Sequence, residues 1–314
     1  MYIDLTIVVP YYNENSTILT TLDLISKQTI SPKEVIFVNS NSTDETFKTI
    51  NKWIENNQKN LFTKYININK GTNTPSSSKN IGIVKARTEW IAFMDCGLIF
   101  PLNWLEKQWN YILTKKCEVV SGVCVLNGLG NIDIASVSQT YGFNRKRPCV
   151  PGTLVKKKIF DKTGLFLENR RAGYDADWPL SLKALKIFRG INYKIILKYN
   201  GTNYGSTFKT IFHKSILYAI PTIGLKYYKK SYNYIIFLLL FIFSIFYSLK
   251  FFFILSSIYL IARGFFIPVI KSQGINVFFR YPLMIIYIPL IGIVIDVGKT
   301  IGIIIGIKKY HFKE

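Results

Sequence analysis

Cysteine is scarce. The 314 residues hold four (Cys96, Cys117, Cys124 and Cys149), none of them in a C-x-x-C pair. A disulfide scaffold is thereby excluded, and a reducing compartment fits best. Charge is also sparse, at 18% of residues against 49% hydrophobic; a disordered chain needs the reverse. Acidic side chains are scarcest, 18 against 40 Lys and Arg, for a net charge of +22. Such an excess implies an anionic partner, either nucleic acid or the anionic face of a membrane. The basic runs are few and short, and none sits on an evident recognition helix. Basic residues instead flank the apolar runs of the C-terminal third. The expected partner is a lipid membrane, with no nucleic acid. No G-x-G-x-x-G follows the first apolar run, which argues against a dinucleotide-binding fold of the dehydrogenase type. Residues 1–30 lack a basic start followed by an apolar run, so no signal peptide is read there and the N-terminal part is expected on the cytoplasmic side.

The composition changes near residue 231. Before it, short apolar runs alternate with polar segments of helical period. These predict strands at Leu5–Val9, Glu34–Val38, Tyr65–Ile68, Trp90–Met94, Glu118–Cys124, Pro151–Val155 and Tyr193–Leu197. A first helix is capped by Ser16, with Ile18, Leu22 and Ile25 on one face. A second is capped by Thr43 or Asp44 and turns Phe47, Ile50 and Ile54 inward. A third begins at Ser76–Ser78 and runs through Lys85, and a fourth starts at Pro101. A later one spans Asp177–Ile187, with Pro179 in its first turn. Strands alternating with helices imply an α/β fold with parallel pairing in an open sheet.

After residue 231 come the apolar runs Tyr234–Leu249, Phe251–Ile267 and Leu283–Ile295. Each is near the lower limit for a bilayer span of ~20 residues. The first two abut at Lys250 and suit a tight helical hairpin. The third continues past Asp296 and Lys299 through the Gly-rich Gly298–Gly306. Lys226, Lys229 and Lys230 precede the first run, and Lys308, Lys309 and Lys313 follow the last. Both clusters favour the cytoplasmic side. That requires an even number of crossings, so one of the three runs is expected to be re-entrant or interfacial. The soluble alternative is a buried pair of core helices.

In an open parallel sheet, ligands bind beyond the carboxyl ends of the strands. The first strand ends in Pro10-Tyr11-Tyr12-Asn13-Glu14, the second in Asn39-Ser40-Asn41-Ser42-Thr43-Asp44, the fourth in Asp95-Cys96-Gly97. Turns favour such residues anyway, but three strand ends on one edge read as a binding crevice. The chemistry suggested is a nucleoside diphosphate. Asn39 offers both donor and acceptor to a base edge. Asp95 offers hard oxygens to Mg2+ or Mn2+ bridging phosphates. Lys79 is a candidate phosphate contact; Arg87 reads better as a solvated helical face.

These residues carry a resemblance. Residues 5–46 and 76–105 resemble glycosyltransferase family 2, the inverting, nucleotide-sugar-dependent enzymes of GT-A fold. The family's V-P-x-Y-N-E is Val9-Pro10-Tyr11-Tyr12-Asn13-Glu14. Its V-D-D-G-S-T-D-x-T is Val38 through Thr46. Its A-R-N-x-G run through F-x-D-x-D extends from Ser78-Lys79-Asn80 to Phe93 and Asp95-Cys96-Gly97. Its later E-D-x-D-W is Tyr174-Asp175-Ala176-Asp177-Trp178. The departures are Asn39 and Ser40 for the two Asp of the second motif, Gly97 for the second Asp of the metal motif, and Tyr174 for the Glu before the catalytic Asp.

The resemblance implies an open mixed, mainly parallel GT-A sheet flanked by helices over residues 1–225, and membrane-associated helices over 226–314. It implies Asp175 as general base, taking the proton of the acceptor hydroxyl as its oxygen attacks the anomeric carbon. Pro10, Tyr12, Glu14, Asn39, Ser40, Lys79 and Asp95 would hold the donor, with Mg2+ or Mn2+ on Asp95 and, more remotely, His213. Asp177, Trp178 and Arg171 would meet a glycan or lipid-linked acceptor. Against this stand local readings: Asp175 or Asp177 as a helix N-cap, Trp178 as core, Arg145-Lys146-Arg147 as a solvated loop, and His213 as a structural side chain. The membrane tail resembles the subset that builds surface polysaccharides or glycolipids at the bacterial inner membrane. A non-catalytic nucleotide-sugar-binding or scaffold protein on the same fold is the alternative.

Overall fold

Strand-forming runs rich in Val, Ile and Phe build the sheet. The computed structural model describes residues 2–58, 63–69, 73–199, 205–226 and 233–311. The chain divides into two compact units, one of residues 1–124 and 146–200, the other of 125–145 and 201–314.

The first unit is a mixed sheet with flanking helices. Its strands are β1 (Tyr2–Tyr11), β2 (Ser31–Asn39), β3 (Lys64–Ile68), β4 (Trp90–Phe93), β5 (Leu98–Ile99), β6 (Val119–Val125), β7 (Arg147–Lys156), β8 (Gly190–Ile191) and β9 (Leu197–Tyr199). The sheet runs β3-β2-β1-β4-β7-β6-β9-β5, with β8 on β6. β3, β2, β1 and β4 pair in parallel, so their carboxyl ends share one edge. β7 runs antiparallel between β4 and β6, as mixed α/β sheets allow. Helices α1 (Ile18–Ser26), α2 (Thr46–Asn57), α3 (Pro75–Lys85) and α4 (Trp104–Lys115) follow the first strands. The expected inward residues Ile18, Leu22 and Ile25 are buried on α1. Strand interiors such as Ile7, Val8, Ile36, Phe37 and Ile91 are fully buried, each worth about 1.5–3 kcal/mol.

Several boundaries differ from expectation. Ser16 does not cap α1, whose flanking residue is Thr17; the Glu14 carbonyl accepts from the Thr17 and Ile18 amides. Neither Thr43 nor Asp44 is the N-cap of α2, which is Glu45, although Asp44 accepts from the Thr46 amide just beside it. α4 starts at Trp104 rather than Pro101, because the Trp104 amide closes a turn on the Pro101 carbonyl. No strand forms over 193–196. Asn192 takes the Lys194 and Ile195 amides with its side chain and carbonyl, and this turn holds β8 and β9 apart.

The second unit is helical: α5 (Asn131–Thr140), after α4 in chain order, then α8 (Phe208–Ala219), α9 (Asn233–Tyr247), α10 (Leu249–Ile261), α11 (Ile267–Ser272), α12 (Asn276–Arg280) and α13 (Met284–His311). The second apolar run is longer than read, because a π-helical segment at Ala262–Phe266 joins α10 to α11 across Pro268. The result is one apolar helix over Leu249–Ser272; Met284–Tyr310 forms another. At 24 and 27 residues both are long and apolar enough to cross a membrane. The first run instead forms the 15-residue α9, shorter than a span. Lys229, Lys230 and Lys313 lie outside the described residues.

α13 packs against α8 through a stripe of glycines. A Cβ on Gly298, Gly302 or Gly306 would stand 2.5–2.8 Å from atoms of Ser215, the Ile216 carbonyl and the Ile220 carbonyl, respectively. Inside this unit Arg263 meets Asp296 at 2.7 Å.

Candidate active site

The parallel half of the sheet presents three loops at one edge. Tyr11 pairs with Asn39 in register, and the Ser40 amide donates to the Tyr11 carbonyl at 2.9 Å. Val8 pairs with Phe93, two residues before Asp95. The first two loops are laced together. Asn13 accepts from the Thr43 amide at 2.8 Å, the Glu14 amide donates to Thr46 Oγ1 at 2.9 Å, and the Asn15 amide donates to Asp44 at 3.1 Å. Asn13 and Asn41 both adopt positive φ (54° and 63°), a conformation asparagine tolerates better than most side chains.

Each candidate donor residue has a definite position. Pro10 is buried in β1 and Tyr12 is exposed beyond it. Glu14 is half-buried, and burial pushes its carboxyl up, with Asp95 and Asp44 adding to the effect. The Asn39 amide donates to Asn69 at 3.1 Å and accepts from the Ser42 amide at 2.8 Å. Ser40 and Ser78 share a hydrogen bond of 2.6 Å between hydroxyls, tying β2 to α3. Lys79 is buried on α3, and its Nζ lies 2.7 Å from Asp95 Oδ1. The same ammonium stands 5.8 Å from the centre of the Tyr174 ring, a cation–π separation. Tyr174 immediately precedes Asp175, so Lys79 bridges the end of β4 and the start of the helix that bears Asp175.

That helix is α7 (Tyr174–Ala184), following the short α6 (Ile159–Thr163). It starts three residues earlier than the sequence suggests, with Pro179 inside it. Its N-cap is Gly173 at φ 87°, and no side chain caps it. Neither Asp175 nor Asp177 is therefore the N-cap; both lie in the first turn. Asp175 is exposed, and its carboxylate makes no hydrogen bond or ion pair among the described residues. It lines an open cavity of about 510 Å3 together with Pro148, Ala176, Pro179 and Phe188. Asp177 is buried. Trp178 is 5% exposed, stacks on Phe160 and donates to Thr163 at 3.2 Å, so its ring is in the core. Arg171 is exposed. His213 lies exposed on α8 in the second unit, its ring 6.0 Å from that of Phe212.

Two features escaped the sequence reading. The segment leading to α7 is latched to α3. Asn80 donates to the Phe166 carbonyl and accepts the Phe166 amide (2.8 and 3.0 Å), while Ser76 binds both the amide and the carbonyl of Arg170. The cue was the polar first turn Ser76-Ser77-Ser78, too rich in hydroxyls for a helix that only packs. The second feature is a thiol pair. Cys124 on β6 and Cys149 on β7 are free cysteines on paired strands, and the Cys149 thiol donates to the Pro151 carbonyl at 3.2 Å. Burial pushes Cys149 well up, whereas the neighbouring Cys149, with Arg147 adding to it, draws Cys124 down to about 7. The β6–β7 register sets Cys149 opposite Gly122 and Cys124 opposite Arg147.

The side chains suit a divalent ion poorly. Asp95 already holds Lys79, Gly97 has no donor, and among the described residues no three His, Cys, Asp or Glu side chains gather as a ligand set.

A family model for glycosyl transferase family 2 matches residues 6–171, and the chain belongs to that family. An uncharacterized glycosyltransferase of Haemophilus influenzae is 30% identical over 132 residues, 40% of this chain and 49% of that protein. Glycosyltransferase GlyG of Streptococcus pneumoniae is 30% identical over 118 residues, 38% of each. An uncharacterized glycosyltransferase of Rickettsia bellii is 25% identical over 203 residues, 60% of this chain and 28% of its own length. The chain thus spans between 28% and 49% of these curated relatives. In fold it is similar to a mannosyltransferase of Pyrobaculum calidifontis solved with GDP-Man and Mn2+, at TM-score 0.59 and 14% identity over 95% of this chain and 87% of that one.

Proposed function

We propose that the chain transfers a sugar from a nucleoside-diphosphate sugar to a glycan or lipid-linked acceptor, with inversion, at the cytoplasmic face of a bacterial inner membrane, in surface polysaccharide biosynthesis. The observation that carries this is the Lys79 bridge, which joins the strand-end loops at Asp95 to the helix start that bears Asp175. Residues 1–225 form the GT-A catalytic domain in this reading, and 226–314 the membrane-associated part. Pro10, Tyr12, Glu14, Asn39 and Ser40 receive the nucleoside, and Lys79 and Asp95 face its diphosphate. Arg171, Asp177 and Trp178 shape the acceptor side, with Trp178 acting from the core through its packing.

The reaction asks one carboxylate to act. The acceptor oxygen attacks the anomeric carbon, its proton passes to Asp175, and the bond from that carbon to the diphosphate oxygen breaks. An unpartnered, exposed carboxylate is free to take that proton. The leaving diphosphate gains negative charge, which nearby cations stabilise. The membrane assignment draws support from the two long apolar helices and from the flanking lysines; the basic excess is assigned to anionic lipid rather than nucleic acid.

The test is release of nucleoside diphosphate by the full chain in detergent. Asp175→Asn is expected to lower turnover by about 10²–10⁴-fold while donor binding is kept. Unchanged turnover would remove Asp175 from the chemistry.

A further inference from the structure

We propose that the donor diphosphate is held without a divalent metal ion, with Lys79 neutralising Asp95 in its place. This rests on the nucleotide-sugar reading above. Lys79 is 1% exposed and its Nζ sits 2.7 Å from Asp95 Oδ1, so the one carboxylate at the end of β4 already carries a cation. A Mg2+ or Mn2+ ion on the same carboxylate would face that ammonium at short range, in a partly buried setting where like charges repel strongly. Such ions take about six ligands, usually one or two carboxylates completed by waters and phosphate oxygens. Gly97 supplies none, and among the described residues, its two chain neighbours aside, no atom lies within 4 Å of a Cβ built there.

Positive charge is still required where the diphosphate departs. The neutral Lys79–Asp95 pair removes the repulsion that a bare carboxylate would exert on the phosphates. The latch of Arg170 onto Ser76, one helical turn from Lys79, brings the Arg170-Arg171 segment to the same helix end. Guanidinium groups there suit phosphate oxygens.

Calorimetric titration of the full chain in detergent with UDP, GDP and dTDP, in EDTA and in Mn2+, tests this. At least one nucleotide is expected to bind, with less than about threefold difference between the two buffers, a gap well under the tenfold that 1.4 kcal/mol represents. In Lys79→Met, binding in EDTA is expected to weaken by about tenfold or more, and Mn2+ should restore part of it through the freed Asp95. That acquired metal response is something loss of a structural lysine would not produce. Wild-type binding that is tenfold or more weaker in EDTA overturns the proposal, with or without a folded variant. Failure of all three nucleotides in both buffers overturns the donor reading instead.

Discussion

Each unit contains a lysine or arginine sunk against an aspartate, and the two pairs are finished differently. In the helical unit, Asp296 receives Arg263 through both oxygens at 2.7 and 2.8 Å, and the Tyr259 hydroxyl adds a third contact at 2.9 Å. Its lone pairs are largely used. In the sheet unit, Asp95 receives Lys79 on one oxygen and no other partner among the described residues, and is 32% exposed. The closed pair joins two apolar helices across a polar contact. The open pair sits among loops and keeps accepting capacity. Saturation distinguishes an ion pair that holds a fold from one that can answer a ligand.

The sharpest way to break this contrast is at the closed pair. Arg263→Met should cost about 3–5 kcal/mol, the usual penalty for stranding a buried charge. Adding Asp296→Leu should recover most of it, because two apolar side chains satisfy each other. Denaturant titration of single and double variants in detergent checks this; a single variant as stable as the double would erase the distinction. Next in size, Asn80→Ala leaves the Phe166 amide and carbonyl without their partner, at about 1–3 kcal/mol. The same titration should find that loss in the sheet unit, and a neutral outcome would mean the latch on the Asp175 segment holds without Asn80.

The smallest effect is at an exposed carboxylate that shares neither pair. The Glu89 amide, chiefly, and Lys33 hold Asp4 below the ordinary aspartate range. A lowered folded value gives stability that is present above the ordinary value of 3.8 and lost as pH falls through the lowered one. Asp4→Asn should therefore destabilise by less than about 1 kcal/mol at neutral pH. The gap should close on acidification, read from melting curves at stepped pH.

Most of the first unit was legible because its strands are short apolar runs and their ends carry the polar clusters. Leu5–Val9, Glu34–Val38 and Trp90–Met94 each fall on a strand or within a residue of its end. What escaped was decided by local competition. Tyr193–Leu197 has strand-like residues, yet the Asn192 turn takes their amides first. α7 begins at Tyr174 because Gly173, with its positive φ, ends the preceding loop there; in sequence the aspartates looked like better caps. At the site, the residue types of Asn39, Lys79, Asp95 and Asp175 were readable. Their mutual distances were not, since the contact of Lys79 with Asp95 joins a helix to a strand end sixteen residues on. The apolar runs had the right character but the wrong lengths, because a π-helical turn carries the second one past Gly264 and Pro268.

The glycine stripe on α13 has a mechanical consequence. At Gly302 the Ile216 carbonyl and the Ala219 side chain already occupy the space a Cβ would take, so any larger residue there would wedge the two helices apart.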